Sequence, residues 1–317
     1  MSSENTYLPE FNQVYQITEN RWQKQTTFDE NLSQLSLFSA TDFQSQQQLI
    51  GRMASNCEQP LLIKVSGSQQ QCCWHVFAQP ETLKLWVEKN ILDSVFDYVL
   101  WPAQNRQAPR LLLFDMDSTF IEIEVIDELA RLHGVADKVT DVTEKAMRGE
   151  MDFAQSLIAR VACLQGLGDN AIHQLKANLP LSPGVSQLVK VAQENNCRVA
   201  IVSGGFMPFV EQLKQQEKLY AVKANLLEIE KKQLTGKVLG NIVDAQAKAE
   251  FLVELCEQLN ILPEQAMAIG DGANDLKMMA KAGFNLAYRA KPKVQQAASG
   301  RMNQTHLNWL ALAFNWK

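Results

Sequence analysis

The chain has 317 residues, 46% of them hydrophobic and 21% charged, with a formal net charge of −5. At roughly 150 residues per domain, that length predicts about two domains with a core large enough to need no disulfides. Residues 1–105 carry 6 Lys/Arg against 11 Asp/Glu and the remainder carries 24 of each, which excludes a basic phosphate-backbone binder and any expected nucleic-acid partner.

Residues 1–105 hold 15 glutamines. Strands are expected at Leu61–Val65 and Cys72–Phe77, and helices near Asp42–Met53 and Glu81–Leu92. Short mixed elements predict a small α+β domain. The runs Gln46–Gln48 and Gln69–Gln71 read as solvated surface. The segment Trp101–Pro109 carries two prolines and little apolar content. It is the expected linker, with few contacts crossing it.

From Leu111 the pattern changes. Leu111–Phe114, Val199–Val202, Ala266–Ile269 and Phe284–Ala287 are continuous apolar runs, which suit parallel strands buried on both faces. Helical patterns at Val185–Asn195, Pro208–Glu217, Ala247–Gln258 and Asp275–Ala282 separate them. This alternation predicts an α/β fold with a doubly wound, Rossmann-like parallel sheet. About 80 residues between the first two strands read as helix, with Glu124–His133 and Phe153–Leu164 amphipathic. Such an insertion predicts an inserted helical cap, at about residues 122–182, over the sheet edge where open α/β sheets bind ligands. Leu226–Ile229 and Leu234–Leu239, joined through Lys231-Lys232, predict a β-hairpin.

Three of the buried strands deliver polar motifs to that edge. The first ends in Asp115-Met116-Asp117-Ser118-Thr119. This is either an acidic turn or an aspartate nucleophile beside an acid/base aspartate, since carboxylates serve as phosphoryl acceptors. The second runs into Ser203-Gly204-Gly205-Phe206, either a capped turn or an anion site at a helix start. The third ends in Gly270-Asp271-Gly272-Ala273-Asn274-Asp275, an oxygen-rich cluster of a kind that suits Mg²⁺. Together they predict convergence of Asp115, Asp117, Asp271 and Asp275, which cannot all ionise without a compensating cation. A divalent metal would supply it, with Lys248 adding a second positive charge.

These motifs resemble those of the haloacid dehalogenase superfamily, with Asp115, Asp117, Ser203, Lys248, Asp271 and Asp275 in its four signature positions. Glu122–Glu128, Ala146–Glu150, Met151-Asp152-Phe153 and Ala290-Lys291-Pro292 resemble the phosphoserine phosphatases within it. The likeness spans about residues 106–300, and the N-terminal extension resembles the bacterial form with an extra domain, in some relatives of the amino-acid-binding ACT type. The resemblance implies Mg²⁺-dependent hydrolysis of L-phosphoserine to L-serine and phosphate through an aspartyl-phosphate, the last step of serine biosynthesis. It implies Asp115 as nucleophile and Asp117 as acid/base. It implies metal binding through the Asp115 carboxylate, the Asp117 backbone carbonyl and Asp271, with Asp275 in support. Ser203, Gly204 and Lys248 are implied phosphoryl ligands, with Asn274 lining the site. In the cap, Glu124 resembles the ammonium binder and Arg160 the carboxylate binder. A planar guanidinium suits a carboxylate, and Phe153 and Arg160 are seven residues apart, on one helix face. Met147 and Phe153 are expected to form an apolar lid.

A phosphatase or phosphotransferase for another small phosphomonoester, and a phosphorylatable switch without turnover, are the alternatives. Asp117 argues against the switch, because it supplies the proton transfer that hydrolysis needs. His75, His133, His173 and His306 adjoin none of the motifs. Cys57, Cys72, Cys73, Cys163, Cys197 and Cys256 show no C-x-x-C pairing and read as reduced thiols. The polar start Met1–Asn5 lacks a leader pattern, and no apolar run approaches the roughly 18 residues of a membrane helix. A cytoplasmic protein with no membrane partner is expected, and a homo-oligomer is left open.

Overall fold

The computed structural model describes residues 10–18, 21–25, 32–55, 57, 61–91, 94–101 and 107–316. The expectations for Met1–Asn5, for the Leu92 end of the second helix and for the boundary at 105/106 lie outside these residues.

The three polar motifs lie at the ends of β7, β8 and β11 within a set of six parallel strands: β7 (Leu111–Phe114), β8 (Arg198–Phe206), β9 (Ala221–Glu230), β11 (Ala266–Gly270), β12 (Phe284–Tyr288) and β13 (Gly300–Met302). Their spatial order is β9-β8-β7-β11-β12-β13. In chain order that is 3-2-1-4-5-6, the doubly wound arrangement whose switch point lies between the first and fourth strands, here β7 and β11. The apolar runs work as expected for two-sided burial. Leu112 and Phe114 join one core with Val199, Ile201, Met267 and Ile269, while Leu111 and Leu113 join the opposite core with Ala200, Val202, Ala266 and Ala268. Successive side chains of a strand point to opposite faces.

Between β7 and β8 run α3 (Val125–His133), α4 (Ala136–Met147), α5 (Phe153–Ala162) and α6 (Asp169–Lys176). Asp152 starts α5 with a capping box shared with Gln155, which satisfies two otherwise orphaned amides. The hairpin of β9 and β10 (Gln233–Leu239) turns at Lys231 and Lys232, both in the left-handed region at φ 49° and 64°. It fastens to the helical layer. Gly166 N–H donates to Leu234 O at 2.8 Å, Leu234 N–H to Leu167 O at 2.9 Å, and Asp169 N–H to Lys232 O at 2.9 Å.

The N-terminal region follows the order β3 (Ser33–Phe38), α1 (Phe43–Ser55), β4 (Leu61–Gly67), β5 (Cys72–Ala78), α2 (Pro80–Asn90), β6 (Asp97–Leu100). The strands lie β6-β3-β5-β4, all antiparallel, which is the split βαβ arrangement. A hairpin of β1 (Val14–Thr18) and β2 (Arg21–Gln25) extends the β4 side. Its own core includes Trp74 stacked on Phe43 at 5.3 Å. The glutamine expectation is corrected here. Gln46 and Gln47 are buried, and Gln46 Oε1 accepts from Trp74 Nε1 at 2.9 Å while its amide donates to Ser39 O and Thr41 O.

The expectation that few contacts cross the linker does not hold. β6 pairs antiparallel with β13 (Gly300↔Val99, Arg301↔Tyr98), so the 13 strands of the described residues form one sheet. The buried Asp97 carboxylate accepts from the N–H groups of Asn303, Gln304 and Thr305 at 2.7, 3.0 and 2.7 Å, and from the Thr305 hydroxyl at 2.7 Å. Trp101 packs edge-on against Phe284 and Phe314. Prolines mark a change of chain direction, but they say nothing about which strands meet afterwards.

Candidate active site

The three motifs meet at the C-terminal ends of β7, β8 and β11, beside a cleft of about 420 Å³. Asp115 follows β7 directly, and its N–H still bonds Ile269 O of β11 at 2.9 Å. Past it the chain leaves the sheet. Asp117 is extended and Ser118 enters the left-handed region at φ 55°. Beneath the cleft, Lys248 of α9 (Ala245–Leu259) is wholly buried, with its ammonium 2.8 Å from Asp115 Oδ1 and 2.7 Å from Asp275 Oδ1. Asp244 begins α9 by accepting from the amides of Gln246 and Ala247, which sets the helix and its lysine.

Asp115, Asp271 and Asp275 form the acidic cluster, each offering an oxygen within 4.8 Å of the others. Asp275 Oδ2 accepts from Gly272 N–H at 3.1 Å, and Thr119 Oγ1 donates to Asp271 Oδ1 at 3.3 Å. Of the four carboxylates expected to converge, three form this cluster, and Asp117 stands beside it in the same cleft, with Oδ1 accepting from Val125 N–H at 2.8 Å and Oδ2 from Ser203 Oγ at 3.2 Å. A second correction concerns the anion site. β8 runs on through Phe206 with a register shift after Val202, and α8 (Met207–Glu217) begins only afterwards. Ser203 and Gly204 therefore stand on an irregular strand end, not at a helix start. Ser203 Oγ accepts from Gly205 N–H at 2.7 Å.

Both glycines are required by close approach. A Cβ on Gly205 would lie 2.6 Å from Asp117 Oδ2, and one on Gly204 would lie 2.7 Å from the Phe153 ring. Asn225 of β9 is buried and donates to Gly204 O at 2.8 Å and Gly205 O at 3.3 Å, while its Oδ1 accepts from Val243 N–H at 2.8 Å. One amide thus pins the β8 end, the hairpin base and the approach to α9.

The electrostatics follow from burial. Burial, with Asp275 next, holds the Asp115 carboxyl well above the usual range, against the pull of Lys248. Burial and the Glu124 charge push Asp117 up to about 7. Burial and Asp275 push Asp271 up to about 6, with Lys291 and Lys248 opposing. For Lys248 burial opposes the charge, and Asp115 and Asp275 outweigh it, so the ammonium is held more firmly than usual. One buried cation thus faces three carboxylates. A site with that surplus of negative charge, all from oxygen donors, fits a hard divalent cation.

The helical layer supplies Glu124, Met147, Phe153 and Arg160 to the cleft, and the core supplies Asp115, Asp117, Gly204, Asp271 and Asn274. Ser203, Lys248 and Asp275 are buried below the cleft wall. Glu124 begins α3 and its Oε1 accepts from Ser118 Oγ at 2.7 Å. Arg160 donates to Ser156 O at 3.4 Å. Burial lowers its pKa, while Asp127, Glu124 and Asp117 pull the other way. Met147 is 76% exposed, so the expected lid has one side open. Ile126, Thr143, Met151 and Lys291 also line the cleft, and sequence reasoning did not place them there. Asn225 carried no signal at all, because a single asparagine on a hairpin strand fits no spacing rule. None of the four histidines lines the cleft.

This strand order, with an aspartate–lysine centre at the switch point, defines a hydrolase of the haloacid dehalogenase type. The family model described as "Hydrolase: haloacid dehalogenase-like hydrolase" matches residues 109–283. Phosphoserine phosphatase of Saccharomyces cerevisiae is 46% identical over 219 residues, covering 68% of this chain and 71% of its own. That of Idiomarina loihiensis is 47% identical over 197 residues, covering 62% and 90%. The solved structure of a probable phosphoserine phosphatase from Vibrio cholerae, in unliganded form, superposes with a TM-score of 0.74 at 33% identity, covering 92% of this chain and 89% of that one. The chain belongs to the phosphoserine phosphatase family of these hydrolases.

Proposed function

We propose that the chain hydrolyses L-phosphoserine to L-serine and phosphate, as the last step of serine biosynthesis, with Asp115 as nucleophile. The observation that carries this reading is the placement of Asp115, on a buried lysine, in one cleft with Glu124 and Arg160. A phosphorylated amino acid brings a dianion, an ammonium and a carboxylate. The buried end of the cleft suits the first, Glu124 the second, and the Arg160 fork the third.

In the first step an Asp115 oxygen forms a bond to phosphorus and the bond from phosphorus to the serine oxygen breaks. Asp117, with its pKa raised to about 7 by burial and Glu124, holds a proton for that leaving oxygen near neutral pH. In the second step water forms a bond to the same phosphorus and Asp117 takes its proton. The bond between phosphorus and Asp115 breaks, which restores the carboxylate. Ser203 orients Asp117 through the bond to Oδ2. Lys248 fixes Asp115 and offsets charge as it moves onto the phosphoryl oxygens. Gly204 has no Cβ, and the Phe153 ring packs where one would stand, which closes that end of the cleft around the phosphoryl group.

Mg²⁺ is the metal we assign to the acidic cluster, held by Asp115 and Asp271 with Asp275 in support, and the Asp117 carbonyl is the further donor. Bound there, it would supply charge neutralisation for the transferring phosphoryl group. Helices α3–α6 serve as the cap that selects substrate, and residues 1–105 take no chemical part. Six free cysteines support a cytoplasmic location. No described helix is long and apolar enough to cross a membrane.

The test is phosphate release from L-phosphoserine with and without Mg²⁺, for the parent and for Asp115→Asn. Metal-dependent release that the substitution abolishes is expected, since an amide cannot become an acyl-phosphate. Turnover by Asp115→Asn within a few-fold of the parent would remove the nucleophile assignment.

A further inference from the structure

The Ala290-Lys291-Pro292 motif has no part in the chemistry above, yet Lys291 reaches the cleft. Among the described residues five carboxylates line that cleft (Asp115, Asp117, Glu124, Asp152 and Asp271), and Arg160 and Lys291 are the two cations that line it. Arg160 comes from the helical layer, whereas Lys291 comes from the core beside Asp271 and Asn274.

The backbone that carries Lys291 is held on every side. Arg289, in the left-handed region at φ 45°, donates its N–H to Met302 O at 2.8 Å. Lys291 N–H donates to Asp271 O at 3.1 Å, and Lys291 O accepts from Val294 N–H at 2.9 Å and Gln295 N–H at 3.1 Å. Pro292 fixes the first position of the following helix. The side chain itself is exposed and has no carboxylate within ion-pairing distance among the described residues. Its charge acts on Asp271 across the cleft without forming an ion pair, and a rigid base with such an ammonium beside an acidic cleft suits a charge that also acts on an incoming ligand.

We propose that Lys291 is a substrate-capturing residue, whose ammonium draws the phosphate dianion into the cleft and takes no part in breaking bonds. The inference rests on the phosphomonoesterase reading of the cleft. Without Lys291 the dianion approaches this acidic cleft with one fewer opposing charge. Charges lining a cleft focus the field on the approaching ion and act mainly on capture.

The experiment compares the parent, Lys291→Gln and Lys291→Arg on L-phosphoserine at saturating Mg²⁺, at low and high ionic strength. Lys291→Gln is expected to lose about 10-fold in kcat/KM at low salt, with kcat changed less than about two-fold. The deficit should shrink at about 0.5 M salt, where screening shortens the reach of charge to a few ångströms. Lys291→Arg should restore most of kcat/KM. Equal losses in kcat and kcat/KM, a deficit indifferent to salt, or no rescue by arginine would overturn the proposal. A shifted Mg²⁺ requirement with KM intact would also overturn it, by placing the effect on Asp271. If the parent itself released no phosphate from L-phosphoserine, the functional reading would fall first and the proposal with it.

Discussion

Asp97 and Thr305 meet side chain to side chain at 2.7 Å, joining a strand of the N-terminal region to the loop after β13. The same carboxylate takes three backbone amides of that loop. Asp97→Ala would strand the amide and hydroxyl of buried Thr305, at about 1–3 kcal/mol for an unsatisfied group. Its urea midpoint should fall clearly, while the folded fraction keeps its kcat. By the same reasoning, a chain beginning near Arg106 should be poorly soluble, because it exposes the β13 edge and the Phe284 and Phe314 faces that Trp101 covers. A monomeric, cooperatively folding truncation with parental stability would contradict both expectations.

Asp117→Asn leaves Ser203 and Val125 with a partner of the same shape, so the fold should survive. Without its acid/base group the enzyme should lose about 10²–10⁴ in turnover. Steady-state phosphate release measures this. A parental rate would assign proton transfer to another group.

Arg160→Ala should separate substrates. L-phosphoserine should lose about 2–3 kcal/mol in kcat/KM, as for one partner of a desolvated charge pair. Phosphoethanolamine, which lacks the carboxylate, should lose far less. Parallel losses would make Arg160 a structural residue of α5.

His75 predicts how stability depends on pH. Its Nδ1 accepts from Gln34 Nε2 at 3.0 Å, so the proton sits on Nε2 and faces Ser66 Oγ at 2.8 Å. Burial, with Lys64 second, lowers its pKa from 6.5 to about 3. The unfolded chain then binds the proton that the folded one refuses. His75 therefore contributes stability in full above pH 6.5, and loses up to about 1.4 kcal/mol per unit as pH falls from 6.5 towards 3. Urea midpoints of the parent and His75→Gln at pH 7, 5.5 and 4.5 check this. The variant should show the shallower decline between pH 7 and 4.5, and identical slopes would contradict the neutral buried imidazole.

The parallel strands were legible because two-sided burial writes itself as an unbroken apolar run. Leu111–Phe114 appears with the expected limits, two other runs lengthen by one residue, and Val199–Val202 grows by five to Arg198–Phe206. β3 and β6 were not legible. Ser33-Gln34-Leu35-Ser36-Leu37-Phe38 buries serines that its neighbours satisfy, including Ser36 under Trp101 Nε1 and beside His75, and hydropathy cannot show a partner. β13 has three residues and begins at a glycine, so no periodicity can develop. In the site, Asp115, Asp275 and Lys248 could be paired on charge alone. The turning of Asp117 towards Ser203 could not, because it depends on the chain leaving the sheet after Asp115 and turning at Ser118 through a backbone region that sequence does not mark for a serine.

The hairpin's three hydrogen bonds to residues 166–169 have a mechanical meaning. The helical layer is bolted along one side, whereas Met147 on the other side stands in solvent. A panel fixed along one edge swings like a door, so residues 147–153 should travel furthest when substrate enters, and Phe153 should lift from Gly204 in the same movement. Amide exchange should run slowly at Gly166, Leu234 and Asp169 and quickly at 148–151. Uniform exchange over both sides would mean that the layer moves as a lid without a hinge.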